Sequence, residues 1–156
     1  MNEITLNDRV KLIYPEGFRL LSEEERGRLR MLEEGPGLSL SDPARHMLVS
    51  LAWTRLNPLS RLLKADDLAQ NMESRVSRAM SPYGYRREGF GSRNVGGREA
   101  SGIRYEYTAE NVPMYGESYA LKEGRTLYYF HLYARQELKE ESLPLWGRLL
   151  AEARWL

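Results

Sequence analysis

The strongest constraint on the fold is a run of alternating, tyrosine-rich segments in the second half of the chain. Seven of the 10 tyrosines lie between Tyr105 and Tyr133. Apolar and polar residues alternate around them, and the turn at residues 122–125 has a glycine at Gly124. A period of two is typical of strands, and glycine allows the left-handed conformation that a hairpin turn needs. A further strand is expected near Phe90. Consecutive strands with short connections predict an antiparallel meander.

The first half of the chain predicts two further strands and a short helix. Apolar residues alternate over residues 10–14, and a second strand over residues 46–54 is apolar on both faces, which is typical of a central strand. Ser22 is followed by three glutamates, and Glu25 completes a capping box. This pattern predicts a helix over residues 22–33.

Two longer helices are predicted from apolar residues that recur every three or four positions. The first covers residues 62–80, with Ser60 and Asp66 as alternative N-caps. The second covers residues 142–153 and has Ser142 as its expected N-cap. Helices packed on an antiparallel sheet give an α+β fold, and the length predicts a single domain over residues 1–156.

Composition excludes several kinds of chemistry. The chain has no cysteine and two histidines, so disulfides, thiolate metal sites and a cysteine nucleophile are excluded, and we expect neither a metal nor a cofactor. Its net charge of +1 argues against a domain-wide nucleic-acid footprint. The sequence after Met1 has no apolar run typical of a signal peptide, and no segment is long enough to span a membrane. We therefore expect a cytoplasmic protein without a membrane partner.

The tyrosines are the leading candidate site. Tyrosine offers a large amphipathic surface with few rotamers to immobilise, which suits interfaces, but strands also favour it for packing. Core and interface roles therefore both remain open. If helices cover only one face of the sheet, the other face could bind a protein partner or a second copy of the chain. The residues expected at this non-enzymatic binding surface are Tyr105, Tyr107, Tyr115, Tyr119, Tyr129, His131 and Tyr133.

A second hypothesis places a small-ligand or hydrolytic pocket around His131. His131 alternates with Tyr129 and Tyr133, so the three side chains should share one face of a strand, and Glu106 could supply a carboxylate. Histidine titrates near neutral pH and can act as a general base. No nucleophile motif accompanies His131, and a histidine held by a neighbour within the sheet explains it equally well. His46 lies in the other predicted strand and has the same simple explanation.

A third hypothesis concerns a group of arginines with aromatic neighbours. Arginine and aromatic side chains together can bind single-stranded RNA, although such runs more often form the solvated face of strands. Nucleic acid is the less favoured partner because the net charge is close to zero. The arginines in question are Arg86, Arg87, Arg93, Arg98 and Arg104.

Four segments together resemble the PsbP-like superfamily, in particular its bacterial members. Residues 10–18 resemble its opening strand and Pro-x-Gly turn, and residues 96–107 resemble its glycine turn and the central strand that follows. Residues 127–130, after a glycine turn, and a closing helix with Leu145-Trp146 complete the likeness. The resemblance covers most of the chain.

The resemblance implies an α/β/α-like sandwich built on an antiparallel sheet. Its members include a photosystem subunit, a nuclear-transport factor, bacterial lipoproteins and chaperones for secreted toxins. None of them offers a catalytic set that can be transferred to this chain, which also lacks the lipid-bearing cysteine of the lipoproteins. What the resemblance implies about function is a binding role, and a fold does not determine function.

Overall fold

An antiparallel sheet built on the predicted meander organises the chain. The computed structural model describes residues 2–29 and 36–156. The helices are α1 (Glu23–Arg28), α2 (Ala65–Met80) and α3 (Lys139–Ala151). The strands are β1 (Asn2–Leu6), β2 (Val10–Tyr14), β3 (Arg19–Leu20), β4 (Gly37–Asp42), β5 (Met47–Arg55), β6 (Arg86–Val95), β7 (Arg98–Ala109), β8 (Val112–Glu123), β9 (Thr126–Arg135) and β10 (Arg154–Trp155).

The strands of the described residues form two sheets. The larger has seven strands in the order β3-β4-β5-β9-β8-β7-β6, and β6 to β9 are neighbours in chain order, as a meander requires. The smaller sheet has the order β1-β2-β10 and joins the two ends of the described chain. Every pairing is antiparallel, and Gly124 takes a φ of 59° at the β8–β9 turn. The predicted α+β fold with an antiparallel sheet is confirmed, and the small sheet accompanies it.

Helices cover both faces of the large sheet. On one face, buried Leu68, Met72 and Val76 of α2 pack against Ile103 and its neighbours. On the other face, Trp146, Leu149 and Leu150 of α3 pack together with the small sheet against a second apolar cluster. The expectation that one face of the sheet is left exposed is therefore wrong. We refer to the two sides as the α2 face and the α3 face.

The ends of the helices differ from the predictions in detail. The capping box of Ser22 is confirmed, since its hydroxyl accepts from Glu25 N at 3.1 Å. The predicted continuation of this helix over residues 30–33 lies outside the described residues. Helix α2 begins at Ala65, and neither Ser60 nor Asp66 is its cap. Instead, Lys64 is the N-cap, and its backbone N–H donates to the carboxylate of Asp67 at 2.9 Å.

Two further positions were placed wrongly by the sequence. Helix α3 begins at Lys139, so Ser142 is a buried residue inside the helix and not its N-cap. His46 is not in a strand but in the turn between β4 and β5, where it has a φ of 54°. Alternation alone could not show this turn, because the residue next to it, Met47, already belongs to β5.

Candidate functional site

An open groove lies between α2, the turn that precedes it and strands β8 and β9. Its volume is about 370 Å³, within the range of small-molecule sites. Its apolar surface comes from the helix, the turn before it and both strands. The apolar residues that line it are Leu63, Leu68, Met72, Ala120 and Leu127. The floor of the groove is therefore apolar, and it lies where α2 packs against the sheet.

A polar stripe of α2 forms one wall of the groove. Asn71, Arg75 and Arg78 follow each other at steps of four and three, so they share one side of the helix. The guanidinium carbon of Arg75 lies 4.7 Å from the ring centroid of Tyr129, a cation–π geometry. This wall therefore places positive charge beside an aromatic ring at the edge of the apolar floor.

Two leucines protrude next to the groove. Leu59 and Leu62 belong to the turn before α2, and they are 81% and 79% exposed. Their neighbours Ser60 and Leu63 line the groove. The same turn is tied to the sheet by Lys122, whose Nζ donates to the carbonyl of Leu63 at 2.7 Å. Exposed apolar side chains beside a groove are typical of a binding surface, because a bound ligand or partner removes them from water.

The residues predicted for a shared tyrosine surface lie on opposite faces of the sheet. Tyr105, Tyr107, Tyr129, His131 and Tyr133 point to the α2 face, whereas Tyr115 and Tyr119 point to the α3 face. All are buried except Tyr129, which is partly exposed and lines the groove. The interface role left open for these residues therefore fails for all but Tyr129, and the packing role holds.

His131 is fully buried and does not line the groove. The predicted common face is confirmed, because the ring of His131 stacks between those of Tyr129 and Tyr133 at centroid distances of 6.4 and 6.1 Å. His131 Nδ1 lies 2.7 Å from Ser118 Oγ, which in turn lies 3.1 Å from the hydroxyl of Tyr105. His131 and Ser118 are both 0% exposed. This buried hydrogen-bonded chain joins three strands and has no surface for a substrate.

The expected carboxylate partner of His131 lies elsewhere. Glu106 is paired in register with Tyr115, on the α3 face, and its carboxylate forms an ion pair with Arg86. The proposed set of His131 and Glu106 is therefore separated by the sheet. A hydrolytic pocket built from these two residues is wrong.

A buried carboxylate on the α3 face was missed by the sequence analysis. Glu117 is 0% exposed, and Arg93 binds it with two nitrogens at 2.9 and 3.1 Å. Tyr115 and Tyr119 donate their hydroxyls at 2.6 and 2.7 Å, and Trp146 Nε1 donates at 3.0 Å. The spacing of Tyr115, Glu117 and Tyr119 along one strand was the signal, because residues two apart share a face.

The electrostatics of Glu117 follow from these contacts. Burial by itself raises the pKa of the carboxyl, but the hydrogen bonds from Arg93, Tyr115 and Tyr119 outweigh it and hold the pKa below its ordinary value. Five donated hydrogen bonds leave the ionised carboxylate well satisfied. We therefore interpret this cluster as a structural support for α3 and not as a ligand site.

Ion pairs engage most of the arginines that suggested an RNA site. Arg86 and Arg98 pair with glutamates on neighbouring strands, and Arg93 of β6 pairs across β7 with Glu117 of β8. Arg87 lies over the ring of Phe90, at 4.6 Å from its centroid. The five arginines therefore do not form one free cationic surface.

Metal and membrane features can be assessed for residues 2–29 and 36–156. No group of three or more histidine, aspartate or glutamate side chains there is placed to hold a metal ion. No helix in the same residues is long and apolar enough to cross a membrane. The cytoplasmic location stays a prediction.

Comparison with known proteins identifies the fold. No protein-family model matches the chain, and the search of curated proteins finds no match. Among solved structures, the cyanobacterial PsbP protein CyanoP from Synechocystis sp. PCC 6803 superposes with a TM-score of 0.72 at 14% identity, over 99% of this chain and 92% of that one.

Two other solved structures are similar at greater distance. LpqN of Mycobacterium tuberculosis, which is involved in cell envelope biogenesis, has a TM-score of 0.57 at 13% identity, over 94% of this chain and 82% of that one. PA94 of Pseudomonas aeruginosa has a TM-score of 0.52 at 13% identity, over 97% and 94%. At such identities the likeness speaks for the fold and not for the activity. The resemblance seen in the sequence is confirmed at that level: this chain has the PsbP-like fold.

Proposed function

We propose that the chain is a non-catalytic binding module whose groove takes a small amphipathic anion. The observation that carries this proposal is the position of Arg75, with its guanidinium against the ring of Tyr129 at the edge of an apolar floor. An apolar chain would contact Met72 and Leu127, while an acidic head group would face the arginines of α2. Sites for small molecules commonly combine an apolar lining with a few polar groups that fix orientation.

The charge around the groove supports an anion as the ligand. Arg75 and Arg78 both line it, and Asn71 and Ser74 add hydrogen-bonding side chains on the same helix. A carboxylate accepts hydrogen bonds from guanidinium groups in a bidentate geometry. The exposed Leu59 and Leu62 offer further apolar contact to the tail of such a ligand.

Under this proposal, the groove replaces the sheet tyrosines as the binding surface. A docking surface made of the sheet tyrosines is not compatible with their burial. Tyr129 is the member of that set that reaches the groove, so it remains a binding residue. The non-enzymatic role is retained as part of the proposal, because the buried Ser118 and His131 are not accessible to a substrate.

Calorimetric titration with laurate tests the proposal. We expect saturable binding with one laurate per chain, and no comparable binding of dodecyltrimethylammonium, whose alkyl tail is one carbon longer and whose charge is opposite. Replacing Arg75 by alanine should weaken laurate binding about tenfold, which corresponds to about 1.4 kcal/mol. The control is Arg148→Ala, which removes an exposed helical arginine from α3 on the far side of the sheet.

The ligand comparison does not depend on any variant folding correctly. Equal binding of the two surfactants would refute the anion preference, and the absence of laurate binding would refute the groove as a site for such ligands. If Arg148→Ala weakened binding as much as Arg75→Ala, the site would lie elsewhere.

A further inference from the structure

Strand β6 is a long open edge of the large sheet. It is the last strand in the sheet order and pairs with β7 with one register shift, a bulge at Glu88, whereas β3 at the other edge has two residues. In an edge strand, alternate residues direct their backbone N–H and C=O away from the neighbouring strand. Such an edge can accept another strand by backbone hydrogen bonding.

One end of β6 is covered by the C-terminal part of the chain. At its last residue, the carbonyl of Val95 accepts from Trp155 Nε1 at 2.9 Å, and the next residue, Gly96, donates its N–H to the carbonyl of Leu150 at 3.0 Å. The chain's own C-terminal part therefore occupies this end. The open stretch is residues 86–93, because the side chain of the next residue, Asn94, already accepts from the N–H of Gly97 in the turn that follows.

Small side chains leave the backbone of this stretch accessible. Gly89 and Gly91 have no side chain, and the nearest atoms to a Cβ at either position belong to the guanidinium of Arg104, at 3.4 to 4.0 Å. Between them, Phe90 points to the α2 face and is 45% exposed. The edge thus combines an exposed backbone with one apolar side chain that an added strand could cover.

Positive charge lies on both faces of this edge. Arg104 crosses Gly89 and Gly91 on the α3 face, while Arg87 lies over Phe90 at 4.6 Å from its ring centroid. Three other arginines of the region are already paired with glutamates, namely Arg86, Arg93 and Arg98. The charge left to act on a partner is therefore that of Arg87 and Arg104.

We propose that residues 86–93 of β6 bind an extended acidic segment of another protein as an added strand. Carboxylates on successive residues of that segment would point to opposite faces, so that one faces Arg87 on one side of the sheet and the next faces Arg104 on the other. A second copy of this chain is disfavoured, because pairing two β6 edges would bring these arginines together. Single-stranded RNA is disfavoured as well, because phosphates accept hydrogen bonds and cannot satisfy the outward C=O groups of the strand.

Titration of the full chain with a synthetic peptide in which pairs of glutamates alternate with pairs of threonines, so that carboxylates lie on both faces of the added strand, tests this site. We expect saturable binding, and protection of the amides of residues 86–93 from hydrogen exchange. The same peptide with alternate backbone nitrogens methylated keeps its charge but cannot pair along one edge, so it should bind at least tenfold more weakly. Arg87→Glu and Arg104→Glu should each weaken the unmodified peptide about tenfold, whereas Arg148→Glu on α3 should leave it unchanged.

Each alternative occupant gives a distinct result. Equal binding of the methylated peptide would overturn strand addition, and it needs no variant of the protein. Tighter binding of an oligouridylate than of the acidic peptide would identify RNA as the ligand and overturn the proposal. Dimerisation that Arg104→Glu alters in light scattering would identify a second copy. The groove on α2 is separate, so Arg75→Ala should not affect the peptide.

Discussion

Trp146 Nε1 donates a hydrogen bond to Glu117 Oε1 at 3.0 Å, and this contact joins the closing helix to the centre of the sheet. Both side chains are buried, and the carboxylate also accepts two hydrogen bonds from Arg93. Residues from β6, β8 and α3 therefore meet at one ionised group. The α3 face is held by this polar cluster as well as by apolar packing.

Replacing Glu117 by glutamine should destabilise the fold by about 3 kcal/mol. The substitution keeps the shape of the side chain but leaves Arg93 without its counter-charge, and breaking one partner of a buried pair costs roughly that much. Urea denaturation followed by circular dichroism measures the change. Glu99→Gln, at an exposed position of β7, is the control and should change stability little. Equal stability of the two variants would contradict the role of Glu117.

The stability of the fold should depend on pH in part through the same carboxylate. The pKa of Glu117 is held below its ordinary value of 4.5, so the folded chain binds this proton less readily than the unfolded chain. The resulting stabilisation is complete above the unfolded value and is lost as the pH falls towards the folded value. Urea midpoints should therefore decrease on acidification below about pH 4.5, and they should decrease less steeply in Glu117→Gln. Parallel curves for the two proteins would show that another group is responsible.

The parts of the fold that were predictable are those determined by local pattern. The alternation around Tyr105 and Tyr129 and the glycine at Gly124 are sufficient for the meander, since strand period and turn chemistry are local properties. Strands β1, β3, β4 and β10 were missed. Strands β1 and β4 pair with the strands that follow them, but each has only two leucine or isoleucine residues at alternate positions, which is too few to establish a period of two. Strand β10 depends on pairing with the distant β2. Strand β10 has two residues, Arg154 and Trp155, and two residues are too few to show a period.

The candidate site was less predictable for the same reason. Tyr129 was among the expected binding residues, but its role depends on Arg75, which comes from a helix that docks across the strand. Sequence pattern shows that α2 is amphipathic but not which strands it covers. The α3 face is covered because α3 and the small sheet pack on it together, so Tyr115 and Tyr119 on that face are buried.

The buried tyrosines should resist ionisation until the protein unfolds. Burial raises the pKa of Tyr105, Tyr107 and Tyr119 well above the ordinary value of 10.0. A phenol with a raised pKa in the fold contributes stability that is complete below the unfolded value and is lost as the pH rises. After a jump to alkaline pH, phenolate absorbance should therefore include a slow phase that coincides with the loss of circular dichroism. Complete ionisation before any structural change would contradict the burial.

Two glycines should be intolerant of alanine because neighbouring strands occupy the space of a side chain. A Cβ on Gly102 would overlap the carbonyl oxygen of Ser118 in β8, and one on Gly116 would overlap the ring of Tyr105. Packed interiors have little free volume, so overpacking of this kind costs about 1–3 kcal/mol. Gly27 in α1 has no atom within 4 Å of that position, and alanine there should stabilise the helix by up to about 1 kcal/mol. Thermal unfolding of the three variants checks the order, and a Gly102→Ala protein as stable as Gly27→Ala would contradict the close approach of β7 and β8.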